Sequence, residues 1–207
     1  MGSQINKVKK VKLAKIEALK RAGVEAYPDI KERPGDIAAV KKQFDELVIG
    51  QKNTHLAGRI MAKREHGGST FVVVNDGTGT IQLYFKQDML GVEKYQLFLD
   101  NFDIGDFVES SGPVFITRRG EQTQEVRSYT LLAKALLPLP EKWHGLADVD
   151  ERYRKRYLDL LMNENVRSIF MKRSATVKAM RDFLDSEGFM EVETPILQTV
   201  PGGAIAE

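Results

Sequence analysis

The chain has 207 residues, 42% hydrophobic and 29% charged, with a formal net charge of +2 and no cysteine. That length buries a sizeable core in one large or two smaller domains, and the missing thiols exclude disulfides and thiolate metal sites and fit a reducing cytoplasm. No apolar run approaches the ~20 residues that span a bilayer, and the N-terminus lacks the apolar stretch of a secretory signal.

Charge is unevenly spread. Residues 1–21 hold Lys7, Lys9, Lys10, Lys12, Lys15, Lys20 and Arg21 against the single acid Glu17. Such a segment attracts phosphate, although a solvated lysine-rich helix has the same composition. Lysine, leucine and alanine predict a helix over 5–22, with Gly23 as its stop. Val8, Ile16 and Leu19 form a loose apolar stripe interrupted by Lys12 and Lys20, so the helix is expected to lean on a domain rather than build its core. Tyr27-Pro28 ends it, and 29–50 reads as a loop with a short helix around Ala38–Leu47.

From His55 the period changes to two. Leu56, Gly58, Ile60 and Ala62 alternate with Ala57, Arg59, Met61 and Lys63, which predicts a long strand broken at Gly67-Gly68-Ser69. Phe71–Val74 and Thr80–Phe85 are two further strands, and Asn75-Asp76-Gly77-Thr78-Gly79 makes them a hairpin. Residues 91–101 read as a short helix, and Phe107–Thr117 and Gln124–Leu132 as the last two strands, turning at Arg118–Glu121. Three strands, a helix and two strands, closed into a barrel, is the order of an OB-fold.

Pro138 and Pro140 mark a linker, and 141–162 holds no clear element. A long helix follows from about Asn163, a suitable cap, to Glu187. Val166, Ile169, Phe170, Val177, Met180 and Leu184 share one of its faces. Phe189–Leu197 then reads as a strand carrying Pro195, which places it at an edge or bend. One helix and one strand cannot bury a core, so the second domain is expected to be incomplete. The expected architecture is α+β: helical segment 1–50, barrel 51–137, linker 138–162 and the start of a second domain at 163–207.

The hairpin carries the most chemistry. Centred near Asp76-Gly77, it sets Phe71 opposite Gln82. Val72, Val74, Ile81 and Leu83 share the other, all-aliphatic face, the natural interior, which turns Phe71, Gln82 and Tyr84 outward. An outward ring is a stacking platform for an unpaired base, and a carboxamide can bond a base edge as donor and acceptor. Arg59, Lys63 and Arg64 supply positive charge for phosphates. A strand buried on both faces would instead make Phe71 and Val73 core. Arg152, Arg154 and Arg156 are expected to pair with Asp148, Asp150 and Glu151, and the three scattered histidines, without cysteine, point to no metal site.

These residues resemble a known family. Ala57-Gly58-Arg59-Ile60-Met61 followed by Phe71 to Gln82 is similar to the anticodon-binding domain of the lysyl-tRNA synthetases, class II aminoacyl-tRNA synthetases. Leu19-Lys20-Arg21-Ala22-Gly23 with Tyr27-Pro28 resembles their leading helix. Ala135–Pro140, Trp143-His144-Gly145-Leu146 and Arg152–Leu160 together resemble the stretch joining barrel to catalytic domain, and Gly188–Pro195 resembles class II motif 1.

The resemblance implies that Phe71 stacks on an anticodon base, that Gln82 recognises a central uridine, and that Arg59, Lys63 and Arg64 lie beside the anticodon. It implies a further base-reading role for Glu121 and a homodimer interface around Gly188, Phe189, Val192 and Pro195. The family joins lysine to a lysine-accepting tRNA with a uridine-rich anticodon, in the cytoplasm, using ATP and magnesium. Motifs 2 and 3, which hold these, do not occur in the chain, so it is expected to bind tRNA without aminoacylating and to bind neither ATP nor magnesium. The alternatives are a stand-alone OB-fold binder of single-stranded nucleic acid, which leaves 141–207 without a purpose, and an aspartyl- or asparaginyl-tRNA synthetase, against which the Trp143–Leu146 stretch and the leading helix argue.

Overall fold

The computed structural model describes residues 2–29, 34–140 and 148–197. The chain divides into two compact units, Met1–Leu139 and Pro140–Glu207.

The first unit opens with α1 (Gly2–Arg21), followed by α2 (Ile37–Lys42) and α3 (Phe44–Ile49), where the sequence predicts one short helix. A barrel follows: β1 (Asn53–His66), β2 (Ser69–Asn75), β3 (Thr80–Lys86), α4 (Gln87–Leu90), α5 (Val92–Asn101), β4 (Phe107–Ile116), β5 (Gln122–Glu125) and β6 (Ser128–Ala133). The strands run β1-β2-β3-β5-β4, and β1 pairs with β4 to close the ring. β5 and β6 both pair antiparallel with β4 and act as one strand broken at Val126-Arg127, so the ring has the five expected members.

The two-residue period is visible in the burial of β2, β3 and β4. In β2, Thr70, Val72 and Val74 are buried, and in β3 Ile81, Leu83 and Phe85. Full burial of such a side chain contributes roughly 1.5–3 kcal/mol. At one end α5 lays Phe98 on Phe85, with ring centroids 3.9 Å apart, while Tyr129 packs edge-on against both and against Phe102. Burial pushes the Tyr129 hydroxyl up to about 12. The polar residues inside are paired. Gln124 is fully buried, donates to the Thr54 carbonyl at 2.9 Å, and accepts from Ser110 Oγ at 2.6 Å.

The barrel closes by close backbone approach. β4 passes the β5–β6 break at Gly112, where a Cβ would lie 1.8 Å from the Glu125 carbonyl oxygen. No side chain fits there. β1 serves two neighbours, β4 through Asn53–Arg59 and β2 through Arg59–His66, with one residue, Met61, left without a partner as a bulge.

α1 is held by charge as well as by apolar contact. Leu19 is fully buried, and Lys15 bonds Asp103 Oδ1 at 2.6 Å. Lys134, also fully buried, donates to Asp103 Oδ2 and Asp106 Oδ2, each at 2.6 Å. Lys12 therefore does not interrupt the helix's packed face. It is buried on that face above the same acids, and burial holds its ammonium below the usual lysine range against the pull of Asp103 and Asp106. Burial alone would push the Asp103 carboxyl up, but the hydrogen bonds and charges of Lys134 and Lys15 outweigh it and hold it below the usual carboxylate range.

The β2–β3 tip is tied to α2. Asp76 Oδ2 accepts from the Ile37 N–H at 2.8 Å, so a side chain from the hairpin satisfies an orphan donor of the helix. Asp76 Oδ1 accepts from the Thr78 N–H at 2.7 Å and the Gly79 N–H at 2.9 Å. Burial again works upward on this carboxyl, and these bonds together bring it below its ordinary value.

The second unit contains α6 (Val149–Arg154), α7 (Arg156–Met162) and α8 (Glu164–Ser186). Two helices thus occupy a stretch that the sequence leaves without an element. Asp148 caps α6 by accepting from the Glu151 N–H at 2.8 Å. The arginines pair differently from expectation: Arg152 and Arg156 both reach the buried Asp159, not Asp148, Asp150 or Glu151. Asn163 caps α8 as predicted, accepting from the Val166 N–H at 3.5 Å. The predicted apolar face exists, but only Val166 is buried, and Ile169, Phe170, Val177, Met180 and Leu184 are 40–64% exposed. The strand expected at 189–197 is not formed. Those residues are exposed, and a strand needs a ladder partner, which no described residue provides. Trp143-His144-Gly145-Leu146 and residues 198–207 lie outside the described residues.

Gly112→Ala is expected to cost more than ~4 kcal/mol or to prevent folding. Gly67→Ala, at a turn with open space around it, should cost about 1–2 kcal/mol from its left-handed backbone alone. Urea titrations followed by circular dichroism compare the two. Because Asp76 and Asp103 titrate lower folded than unfolded, their stabilisation is complete above the unfolded value of ~3.9 and is lost as pH falls through the lower folded values. Asp103→Asn should flatten the drop in urea midpoint between about pH 5 and 2.

Candidate nucleic-acid interface

Alternation places the outer residues of the barrel in rows across neighbouring strands. One row runs Arg64–Phe71–Tyr84–Glu125 over β1, β2, β3 and β5. The next runs Ala62–Val73–Gln82–Thr123, and Phe115 of β4 sits opposite Thr123. A third holds Arg59, Asn75 and Thr80, with Phe107 opposite Arg59 on the β4 side.

Phe71 therefore lies opposite Tyr84, and Gln82 opposite Val73, a register two residues away from the predicted one. The hairpin tip reaches one residue further than a turn centred on Asp76-Gly77. The slip is even, so the faces are as predicted, and Phe71 and Gln82 become diagonal neighbours on the outer surface. Diagonal pairs lie ~7–8 Å apart, close enough for one nucleotide to touch both.

The outer face is aromatic along its centre. The Phe71 ring stacks on Tyr84 with centroids 4.8 Å apart and planes at 29°. Tyr84 in turn meets Phe115 edge-on at 6.0 Å. These rings are only half-buried, so part of each stays open to solvent. Thr123 Oγ1 lies 3.0 Å from Gln82 Oε1, which fixes the end of the glutamine side chain.

The basic residues separate. Arg64 is exposed at the end of the Phe71 row. Arg59 is half-buried, with its guanidinium 4.2 Å from the Phe107 ring centroid and donating to the Gly105 carbonyl at 3.3 Å. Burial lowers the pKa of its guanidinium, which stays charged. Lys63 does not project from this face. It shares the inner side with Val72, donates to the Leu99 carbonyl at 2.7 Å and the Phe102 carbonyl at 3.3 Å, and lies over the Phe98 ring. Burial brings its ammonium below the usual lysine range. The cause is the Met61 bulge, which reverses the alternation of β1 beyond that point. Lys63 thus closes the C-terminal end of α5, a favourable place for a cation.

Glu121 is exposed in the β4–β5 turn, and its carbonyl accepts from the Thr117 N–H at 3.0 Å and lies 3.1 Å from Thr123 Oγ1. That connects the turn to the Gln82 row. Gly188, Phe189, Val192 and Pro195 lie in the second unit, all exposed. The site set read from the sequence omits Tyr84, Phe115 and Thr123. Tyr84 and Phe115 follow from strand parity alone. Thr123 meets Gln82 only through the parallel β3–β5 pairing, which has no local signature.

Among known proteins, residues 54–139 match the family of OB-fold nucleic acid binding domains, and residues 148–207 match the tRNA synthetases class II (D, K and N). The architecture is thus a nucleic-acid-binding barrel followed by the start of a class II synthetase domain. Lysine–tRNA ligases match almost the whole chain. That of Syntrophomonas wolfei is 49% identical over 98% of this chain and 40% of its own length. Those of Carboxydothermus hydrogenoformans and Moorella thermoacetica are 46% and 48% identical, over 98% and 97% of this chain and 41% and 40% of theirs. The chain is homologous to the N-terminal part of lysine–tRNA ligases, and it spans about 40% of the length of these relatives.

Lys63→Met is expected to cost about 1–3 kcal/mol of stability, because two carbonyls at a helix end lose their donor. Arg64→Ala, at an exposed position, should change stability by less than ~0.5 kcal/mol. Thermal melts of the two variants distinguish the inner residue from the outer one.

Proposed function

We propose that this chain is the tRNA-binding arm of a lysine–tRNA ligase, and that its outer barrel face holds the anticodon loop of a lysine-accepting tRNA. The observation that carries the reading is one surface on which a half-exposed ring, a carboxamide and two arginines stand together, on strands whose other side is aliphatic core. Phe71 stacks on an anticodon base, extending the stack it already forms with Tyr84. Gln82 bonds the edge of the central base, a uridine, and Glu121 reaches a further base from the adjoining turn. Arg64 and Arg59 flank these rows and neutralise phosphates. Lys63 acts from beneath, holding α5 to the barrel, and is outside the contact set.

In the complete enzyme this arm would present the tRNA to a catalytic domain that activates lysine with ATP and magnesium. No group of three or more His, Cys, Asp or Glu among the described residues could hold a metal ion, so no step is routed through these residues. The chain alone binds tRNA without aminoacylating it. The exposed apolar side chains of α8 and of Phe189 and Val192 suit burial against a second subunit around Gly188–Pro195, giving a homodimer. No described helix is long and apolar enough to cross a membrane, and we place the protein in the cytoplasm, where tRNA is charged.

Phe71→Ala should weaken binding of a stem-loop RNA with a uridine anticodon by about 1–3 kcal/mol in fluorescence anisotropy. Binding should fall steeply with salt, with Arg64→Ala reducing the slope of log K against log salt by about one. Unchanged affinity of Phe71→Ala together with a flat salt titration would remove RNA from this face.

A further inference from the structure

Thr123 is fully buried, yet its hydroxyl sits between two groups of the outer face. Gln82 Oε1 lies 3.0 Å from Thr123 Oγ1, and the Glu121 carbonyl oxygen lies 3.1 Å from it. A hydroxyl has one hydrogen, so it serves one of these acceptors fully and leaves the other facing a lone pair. A half-turn of the Gln82 carboxamide about its last torsion keeps every heavy-atom position and removes the conflict. Nε2 then donates to Thr123 Oγ1, and the hydroxyl donates to the Glu121 carbonyl, which already accepts from the Thr117 N–H at 3.0 Å. Each polar group then meets a complementary partner, the rule by which a carboxamide's orientation is assigned.

We propose that Thr123 is a positioning residue for base recognition: it anchors Gln82 through Nε2, so that Oε1 and the second amide hydrogen face the RNA. This inference rests on the base-reading role proposed for Gln82. The orientation decides which pyrimidine is accepted. Uridine carries a hydrogen on N3 and can donate it to Oε1, while its carbonyl oxygens accept from the amide. Cytidine carries a lone pair on N3, which Oε1 repels. A carboxamide that turned over at will would suit either base. Rejecting the wrong edge thus requires the anchor as well as the amide.

The full chain is titrated with two stem-loop RNAs that differ only in the central anticodon base, uridine or cytidine. Thr123→Val keeps the shape and removes the hydroxyl. It should reduce the preference for uridine about tenfold, mostly by improving cytidine binding, and Thr123→Ser should restore it. An unchanged preference in Thr123→Val, or an equal loss of affinity for both RNAs, overturns the proposal. Gln82→Ala separates the two claims. If it keeps the uridine preference, the base-reading role of Gln82 falls and the anchor with it. If it loses the preference while Thr123→Val retains it, the anchor alone falls. Should Thr123→Val not fold, the unmodified chain still decides by nuclear magnetic resonance. A cross-peak between a Gln82 amide hydrogen and the Thr123 side chain supports the anchor, and its absence overturns it.

Discussion

One unpaired residue, Met61, governs what the outer face contains. A regular strand sends residues 59 and 64 to opposite sides, because their separation is odd. The bulge at Met61 adds one residue to β1 and reverses the alternation, so Arg59 and Arg64 share the outer surface and Lys63 enters the interior. The same irregularity lies where β1 passes from its pairing with β4 to its pairing with β2. Barrel closure and the distribution of charge beside the aromatic rows are therefore set by the same local event.

Much of this architecture is legible in the amino-acid order. The two-residue period from Leu56 onward marks the strands, and the aliphatic set Val72, Val74, Ile81 and Leu83 identifies the interior of the hairpin. Parity also turns Phe71, Gln82 and Tyr84 outward, and it survives an incorrect register because the slip is even. The bulge is not legible, since nothing in Arg59-Ile60-Met61-Ala62 distinguishes a bulged strand from a regular one, and regular alternation puts Lys63 on the face of Arg59. Thr123 stays hidden for a different reason: its contact with Gln82 depends on a parallel pairing between distant strands. The helices at Val149–Arg154 and Arg156–Met162 escape a periodicity search because each is only about two turns long. Their order comes from the Asp148 cap and from Asp159 joining Arg152 to Arg156.

The two units use charge in opposite ways. In the first, Lys134, Asp103, Asp106 and Lys15 form a network in which the lysine at the centre is fully buried. It ties α1, the α5–β4 connection and the end of β6 together, and removing Lys134 would leave the fully buried Asp106 carboxylate without its cation. Among the described residues of the second, Lys178–Asp182 and Arg181–Glu191 are exposed and contribute little. Most apolar side chains of α8 are largely exposed among the described residues, so this unit takes less of its order from a core of its own.

The Asp76 bond to the backbone of α2 has a structural corollary. The helix receives its N-terminal partner from the hairpin, and the hairpin tip is immobilised by the helix, so neither end is complete without the other. The segment ahead of the barrel is therefore part of the foundation of the outer face. A version of this domain pared down to its strands would retain all the residues of the outer aromatic rows. It would lose the brace that keeps their hairpin stationary, and each binding event would have to supply that order anew.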